Sequence, residues 1–146
     1  MELTNSQEEY LKTMYLLKTT NNEIKVTEIA NRLSKSKASV NNMINLLKED
    51  GLVLYEKYGP IELTDLGENE AIKIIEANDI VKLFLTEVIH AKNENAENEA
   101  KEIKTILSDD TLNKIARYTH KTLGLHECGY DINNKNCIKC SRHKNS

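Results

Sequence analysis

Residues 26–67 read VTEIANRLSKSKASVNNMINLLKEDGLVLYEKYGPIELTDLG, and this stretch decides the fold. Ile29, Ala30 and Leu33 make one helical stripe, with Thr27 as the expected N-cap. Val40, Met43, Ile44 and Leu47 make another, from about Lys37 to Asp50, with Ser36 as its cap. Ser34-Lys35-Ser36 is the polar turn between them. Gly51 falls at the C′ position, where a left-handed residue ends a helix. The period then drops to two: Leu52–Tyr55 and Ile61–Leu63 predict a small hairpin around Lys57-Tyr58-Gly59-Pro60. Upstream, SQEEYLKTMYLLKT at 6–19 predicts a first helix with Ser6 and Glu9 as a capping box, ended by Asn21-Asn22. Three helices and a hairpin are the winged helix-turn-helix order.

Beyond Thr64 or Asp65, either of which caps the next helix, the period stays helical. Leu66, Ile72, Ile75, Val81, Phe84, Leu85, Val88 and Ile89 predict one long helix to about Ala91. Asn93–Asn95 reads as a break and Ala96–Leu107 as a further helix. Ser108 caps the last one, with Asp109 and Asp110 in its first turn and Leu123-Gly124 at its end. The glycines stand at 51, 59, 67, 124 and 129, and Pro60 is the only proline. Residues 1–50 and 68–123 therefore lack both breakers, which excludes an all-β or doubly wound chain. No glycine-rich phosphate loop or GxSxG is present. The four histidines, 90, 120, 126 and 143, have no local Ser or Asp arrangement of the triad type, so no enzyme is expected.

The chain has 146 residues and a net charge of −3, unevenly spread. Residues 24–61 carry 6 bases against 4 acids, whereas 62–110 carry 13 acids against 5 bases. A basic segment in an acidic protein can bind phosphates locally. No apolar run is long enough for a membrane span, and MELTNSQEEY lacks the basic and apolar regions of a signal peptide. The expectation is a cytoplasmic chain. One Phe and no Trp give a small core, which predicts oligomerisation.

All three cysteines lie in the last 19 residues: His126-x-Cys128, then Cys137-x-x-Cys140-x-x-His143. Cys-x-x-Cys turns two sulfurs to one point, and a third Cys with a His completes a tetrahedral zinc set. A reducing compartment argues against disulfides. An iron–sulfur cluster normally wants four thiolates. A tail without fixed structure and a redox-active pair are the alternatives.

Ser6–Leu17, Val26–Leu33, Ser36–Leu47, GLVLYEKYGPIELTDLG at 51–67, FLTEVI at 84–89 and LSDD at 107–110 resemble the diphtheria toxin repressor and manganese transport regulator family of metal-dependent repressors. The likeness spans roughly residues 6–125, in the short form without an SH3-like domain. It implies a mainly α chain: a winged helix-turn-helix DNA-binding domain at 1–64 and a helical dimerisation domain at 65–125, to which the residues themselves add the Cys/His tail at 126–146. It also implies a homodimer on a palindromic operator in double-stranded DNA. Ser36, Lys37, Ser39, Asn41 and Asn42 begin the recognition helix, where Asn can read adenine and Lys guanine or phosphate. Ser36, Ala38 and Asn42 fall on the family's base-contacting positions. Lys25, Thr27, Lys35 and Lys57 suit phosphates. A winged module that binds protein is the competing class.

The resemblance implies a core metal site between the first helix and the helices after the wing, and here the sequence departs. Glu9 keeps a ligand position and Glu97 an ancillary one. Lys12, Asn78 and Lys82 replace an acid, a His and an acid, and the E-x-x-E-H run reads Lys101, Lys104 and Thr105 at its ligand positions. Protonated Lys offers no lone pair. The expectation is a degenerate site that holds neither iron nor manganese. Lys82, Lys101 and Lys104 either tether Glu9 without metal or stand in water. Glu99-x-x-Glu102 is the alternative register for a still metal-responsive repressor.

Overall fold

The helix–helix–helix–hairpin order expected from residues 6–63 is present. The structure, a computed structural model, describes residues 2–57, 59–125 and 130–133. In chain order the elements are α1 (Asn5–Asn21), α2 (Val26–Leu33), α3 (Lys37–Glu49), β1 (Val53–Tyr55), β2 (Ile61–Leu63), α4 (Asp65–Leu83), α5 (Asn93–Ile106) and α6 (Asp109–Thr122), with a π-helical turn at Phe84–Val88. The chain divides into two compact units, 1–74 and 75–146, with the boundary inside α4. Among the described residues, no helix is long and apolar enough to cross a membrane.

The first unit packs Leu11, Met14 and Leu17 of α1, Ile29 of α2 and Val40, Ile44 and Leu47 of α3 into one core, closed by Leu52, Val53, Ile61 and Leu63 of the hairpin region. The hairpin pairs Val53 with Leu63, Leu54 with Glu62 and Tyr55 with Ile61. Alternate residues therefore face the core, while Leu54 and Glu62 point outward. Gly51 is left-handed (φ +74°), and Leu52 N donates back to Leu47 O at 2.9 Å, the closure expected of a glycine C′. Thr64 Oγ1 then accepts from Gly67 N (3.0 Å) and donates to Gly51 O (2.7 Å), which starts α4 and fastens it to the end of α3. Gly67 is required by closeness: a Cβ there would overlap the Leu52 carbonyl oxygen.

Two helix starts differ from the sequence expectation. α1 is capped by Thr4, whose hydroxyl accepts from Gln7 N while Gln7 Oε1 accepts from Thr4 N, so the capping box is Thr4/Gln7 and not Ser6/Glu9. Starting there lets Leu3 pack on the core and Gln7 Nε2 bond Asp50 Oδ2 at 2.9 Å. α2 begins at Val26 with Lys25 as N-cap and no side-chain cap; Thr27 lies inside the helix. Ser36 caps α3 as expected, accepting from Ser39 N at 3.1 Å.

In the second unit Ala77, Ile80, Val81, Leu85, Ala96, Ala100, Leu112 and Ala116 form a separate core. The single long helix expected to Ala91 is instead α4 followed by the π turn, closed by Ile89 N donating to Phe84 O. His90 is left-handed (φ 58°), and the break falls before Asn93, not across Asn93–Asn95. Ser108 caps α6 through Thr111 N, and Gly124 (φ +65°) ends it, both as expected. Tyr130 is 1 % exposed within this core and Ile132 packs beside it. Asn113 holds that segment: its Oδ1 accepts from Ile132 N at 2.9 Å. Asn133 Nδ2 adds a bond to Asp109 Oδ2 at 2.9 Å.

Candidate nucleic-acid interface and core site

The N-terminal end of α3 is built as an exposed polar surface over a buried stripe. Val40, Ile44 and Leu47 are fully buried, which turns Lys37, Ala38, Ser39 and Asn42 to solvent. Lys35 and Ser36 precede them and are exposed too. Ser36 Oγ also donates to Ser39 Oγ at 2.9 Å, so these two hydroxyls are partly engaged in the cap. Asn41 differs: it is half-buried, and its Oδ1 is shielded from solvent without a hydrogen-bond partner among the described residues. Asn45 was missed by sequence reasoning. It is exposed and lies on the same helical face as Ala38 and Asn42, seven and three residues on. That spacing was the available signal.

The candidate phosphate contacts surround this end. Lys25 and Thr27 are exposed at the start of α2, and Lys25 pairs with Glu23 at 3.2 Å. Lys57 is exposed past β1. A shallow cavity of about 530 Å³ lies between the α1–α2 turn and the hairpin, lined by Asn22, Lys25, Thr27, Tyr55, Pro60 and Glu62 among others.

The core-site positions fall on both units. Glu9 is exposed and Lys12 half-buried on α1 of the first unit. In the second unit three positions meet. Asn78 Nδ2 donates to Glu97 Oε1 at 3.0 Å, and Lys82 Nζ donates to Glu97 Oε2 at 2.9 Å. The hydrogen bond to Glu97 raises the Lys82 pKa above the ordinary lysine value, the Glu97 charge adds to it, and slight burial opposes it. Lys101 and Lys104, both half-buried, continue the Glu97 face of α5 one and two turns on. Thr105 is exposed and donates to Glu102 O at 2.6 Å, apart from the cluster. Among the described residues no three His, Cys, Asp or Glu side chains gather as a metal-ligand group. A divalent cation needs several deprotonated donors. The second-unit cluster supplies one carboxylate, with both oxygens engaged, so by itself it offers too few donors for such an ion. His126, Cys128, Cys137, Cys140 and His143 lie outside the described residues.

A helix-turn-helix with an exposed recognition face, followed by a hairpin and a separate helical unit, defines a two-part DNA-binding regulator. The profile described as iron dependent repressor, N-terminal DNA binding domain, matches residues 2–61, and that described as iron dependent repressor, metal binding and dimerisation domain, matches residues 64–122. The chain belongs to the iron-dependent repressor family, whose members are transcriptional regulators and not enzymes. It is 36% identical to an HTH-type transcriptional regulator of Methanocaldococcus jannaschii, over 82% of this chain and 96% of that one. It is 31% identical to the HTH-type transcriptional regulator MntR of Lysinibacillus sphaericus, over 77% and 81%. Among solved structures it superposes on the manganese regulator SloR with a TM-score of 0.68 at 25% identity, covering 84% of this chain and 55% of SloR. The chain thus spans about half the length of that solved relative.

Proposed function

We propose that this chain is a homodimeric DNA-binding transcription regulator that reads a palindromic operator through the start of α3, and whose core site takes no metal. The observation that carries the reading is the exposed surface of Lys37, Ala38, Asn42 and Asn45 over the buried stripe of α3. Asn42 and Asn45 supply bidentate amides suited to adenine, and Lys35, Lys37 and Lys57 supply phosphate contacts. Dimerisation is supported by the name of the second domain and by its exposed apolar residues, Ile89, Ile106 and Tyr118, at 55, 82 and 58 % exposure. Loss of the core metal is supported by the Asn78–Glu97–Lys82 cluster. The Glu99-x-x-Glu102 register is disfavoured by helix geometry. Those two carboxylates are exposed and stand roughly 140–200° around α5 from Glu97. A mobility-shift titration against DNA selected from random sequence tests the reading. Affinity should fall steeply with salt and depend on sequence. Binding that is absent, or independent of salt, refutes it in favour of a protein-binding winged module.

A second metal reading belongs to the tail: zinc held by Cys128, Cys137, Cys140 and His143, with His126 as the alternate ligand. Its support is the ligand spacing in the sequence. The anchoring of residues 130–133 on α6 adds to it, by fixing part of the chain between Cys128 and Cys137. Metal analysis of reduced, chelator-free protein should find about one zinc per chain, lost in Cys137→Ser. Metal-free wild-type protein ends this reading.

A further inference from the structure

The Glu97 carboxylate is occupied on both oxygens by two groups of α4. Asn78 and Lys82 stand one helical turn apart, so one planar carboxylate on α5 meets both, at 3.0 and 2.9 Å. Asn78 is 3 % exposed, and its Oδ1 accepts no hydrogen bond among the described residues. The second domain carries the description metal binding, yet at this place the positive charge belongs to a side chain.

We propose that the Lys82 ammonium is the resident cation of the second unit: with Asn78 it closes both oxygens of Glu97, ties α4 to α5 without metal, and leaves the place one charge reversal from a divalent-cation site. The inference deepens the reading that the core takes no metal and rests on it. An ammonium donates three hydrogen bonds and has no lone pair, so it completes Glu97 and repels a dication. The Lys82–Glu97 pair is nearly half exposed on both sides, so its contribution to stability is small. Its consequence is which ion the place accepts.

The reach of the side chains permits the reversal. A Glu side chain ends one bond short of the Lys ammonium, about 1.5 Å. From the 2.9 Å contact, an oxygen there would stand at most about 4.4 Å from Glu97 Oε2. Two oxygens on one divalent cation, with bonds of about 2.0–2.6 Å, stand roughly 3–5 Å apart, so the shorter side chain leaves room for an ion between them. Asn78, whose Nδ2 bonds Glu97 Oε1, would bring its amide oxygen to the same place by rotating the amide. Two carboxylates and an amide carbonyl suit manganese or calcium and leave no role for thiolates.

The test uses the full chain and reads no DNA. Thermal unfolding is followed in chelator, in millimolar manganese and in millimolar calcium, for wild type, Lys82→Met, Lys82→Glu and Glu97→Gln. Bound manganese is counted by electron paramagnetic resonance. The wild-type midpoint should be the same in all three solutions, apart from any shift that Glu97→Gln shares. Lys82→Met should lower it by about 1–3 °C and gain no metal response. Lys82→Glu should fall by more than Lys82→Met in chelator, recover in manganese or calcium, and bind about one manganese more than wild type.

Equal midpoints for Lys82→Met and wild type would overturn the tie. A Lys82→Glu chain that neither binds extra manganese nor recovers, or that stays unfolded in every solution, would overturn the conversion. A wild-type manganese response abolished by Glu97→Gln would overturn both the inference and the metal-free reading. A wild-type response that survives Glu97→Gln but is lost in Glu99→Gln or Glu102→Gln would overturn the metal-free reading alone and leave Lys82 in its role.

Discussion

Helices α3 and α5 both present a polar face over a small buried stripe, and they use it in opposite ways. On α3 the stripe of Val40, Ile44 and Leu47 leaves Lys37, Asn42 and Asn45 open to solvent. On α5 the stripe of Ala96 and Ala100 adjoins a face whose carboxylate, Glu97, is bonded to Asn78 and Lys82 of its own unit. Polar groups left in water at a helix start keep their capacity for an external ligand. Polar groups satisfied by their own chain give up that capacity. The contrast separates a region whose polar groups stay open to a ligand, as the proposed DNA reading needs, from one that matches a metal-binding domain in sequence while its Glu97 carboxylate is satisfied within its own unit.

The largest effect expected is on the second unit. Tyr130→Ala should cost about 3–5 kcal/mol, because it empties a fully buried aromatic position. Thermal unfolding measures it, and a loss below about 1 kcal/mol would show that residues 130–133 are not part of that core. A chain cut after Leu125 would lose the same anchor, so such a truncation is a poor way to remove the cysteines.

The first unit is tested by Gly67→Ala, which drives a methyl group into the Leu52 carbonyl oxygen. The strain should cost about 1–3 kcal/mol. An unchanged midpoint would mean that α4 can retreat from the end of α3 freely.

The contrast between the two polar faces is sharpened next by DNA binding. Asn42→Ala should cost about 1–3 kcal/mol on the preferred sequence and little on others. Lys37→Ala should weaken binding to every sequence and reduce the salt slope by about one. Equal losses from Asn42→Ala on all sequences would move base reading away from this face.

The recognition half was legible because its signals are local. Ser36 as a cap, the stripe from Val40 to Leu47, and Gly51 at the helix end each depend on a few neighbouring residues. The start of α1 was not. Ser6/Glu9 and Thr4/Gln7 both satisfy the capping pattern, and the choice falls to partners distant in sequence, among them Asp50 bonding Gln7. The π turn at Phe84–Val88 leaves no composition mark, since inserting one residue into a helix keeps the same apolar residues. At the core site the sequence showed the change of charge. That Lys82 and Asn78 share one carboxylate, while Lys101 and Lys104 stand one and two turns along the same face, is a matter of helix pairing that periodicity does not encode.

The central claim is that the core positions take no metal, so occupancy of DNA does not depend on it there. The direct measurement is the affinity of the full-length chain carrying Cys128→Ser, Cys137→Ser and Cys140→Ser for its preferred DNA, in chelator and in added manganese. These substitutions remove the tail thiolates and keep the Tyr130 anchor. The account predicts the same affinity in both solutions, within about twofold, or about 0.4 kcal/mol. A tenfold or greater rise with manganese, about 1.4 kcal/mol, would contradict it.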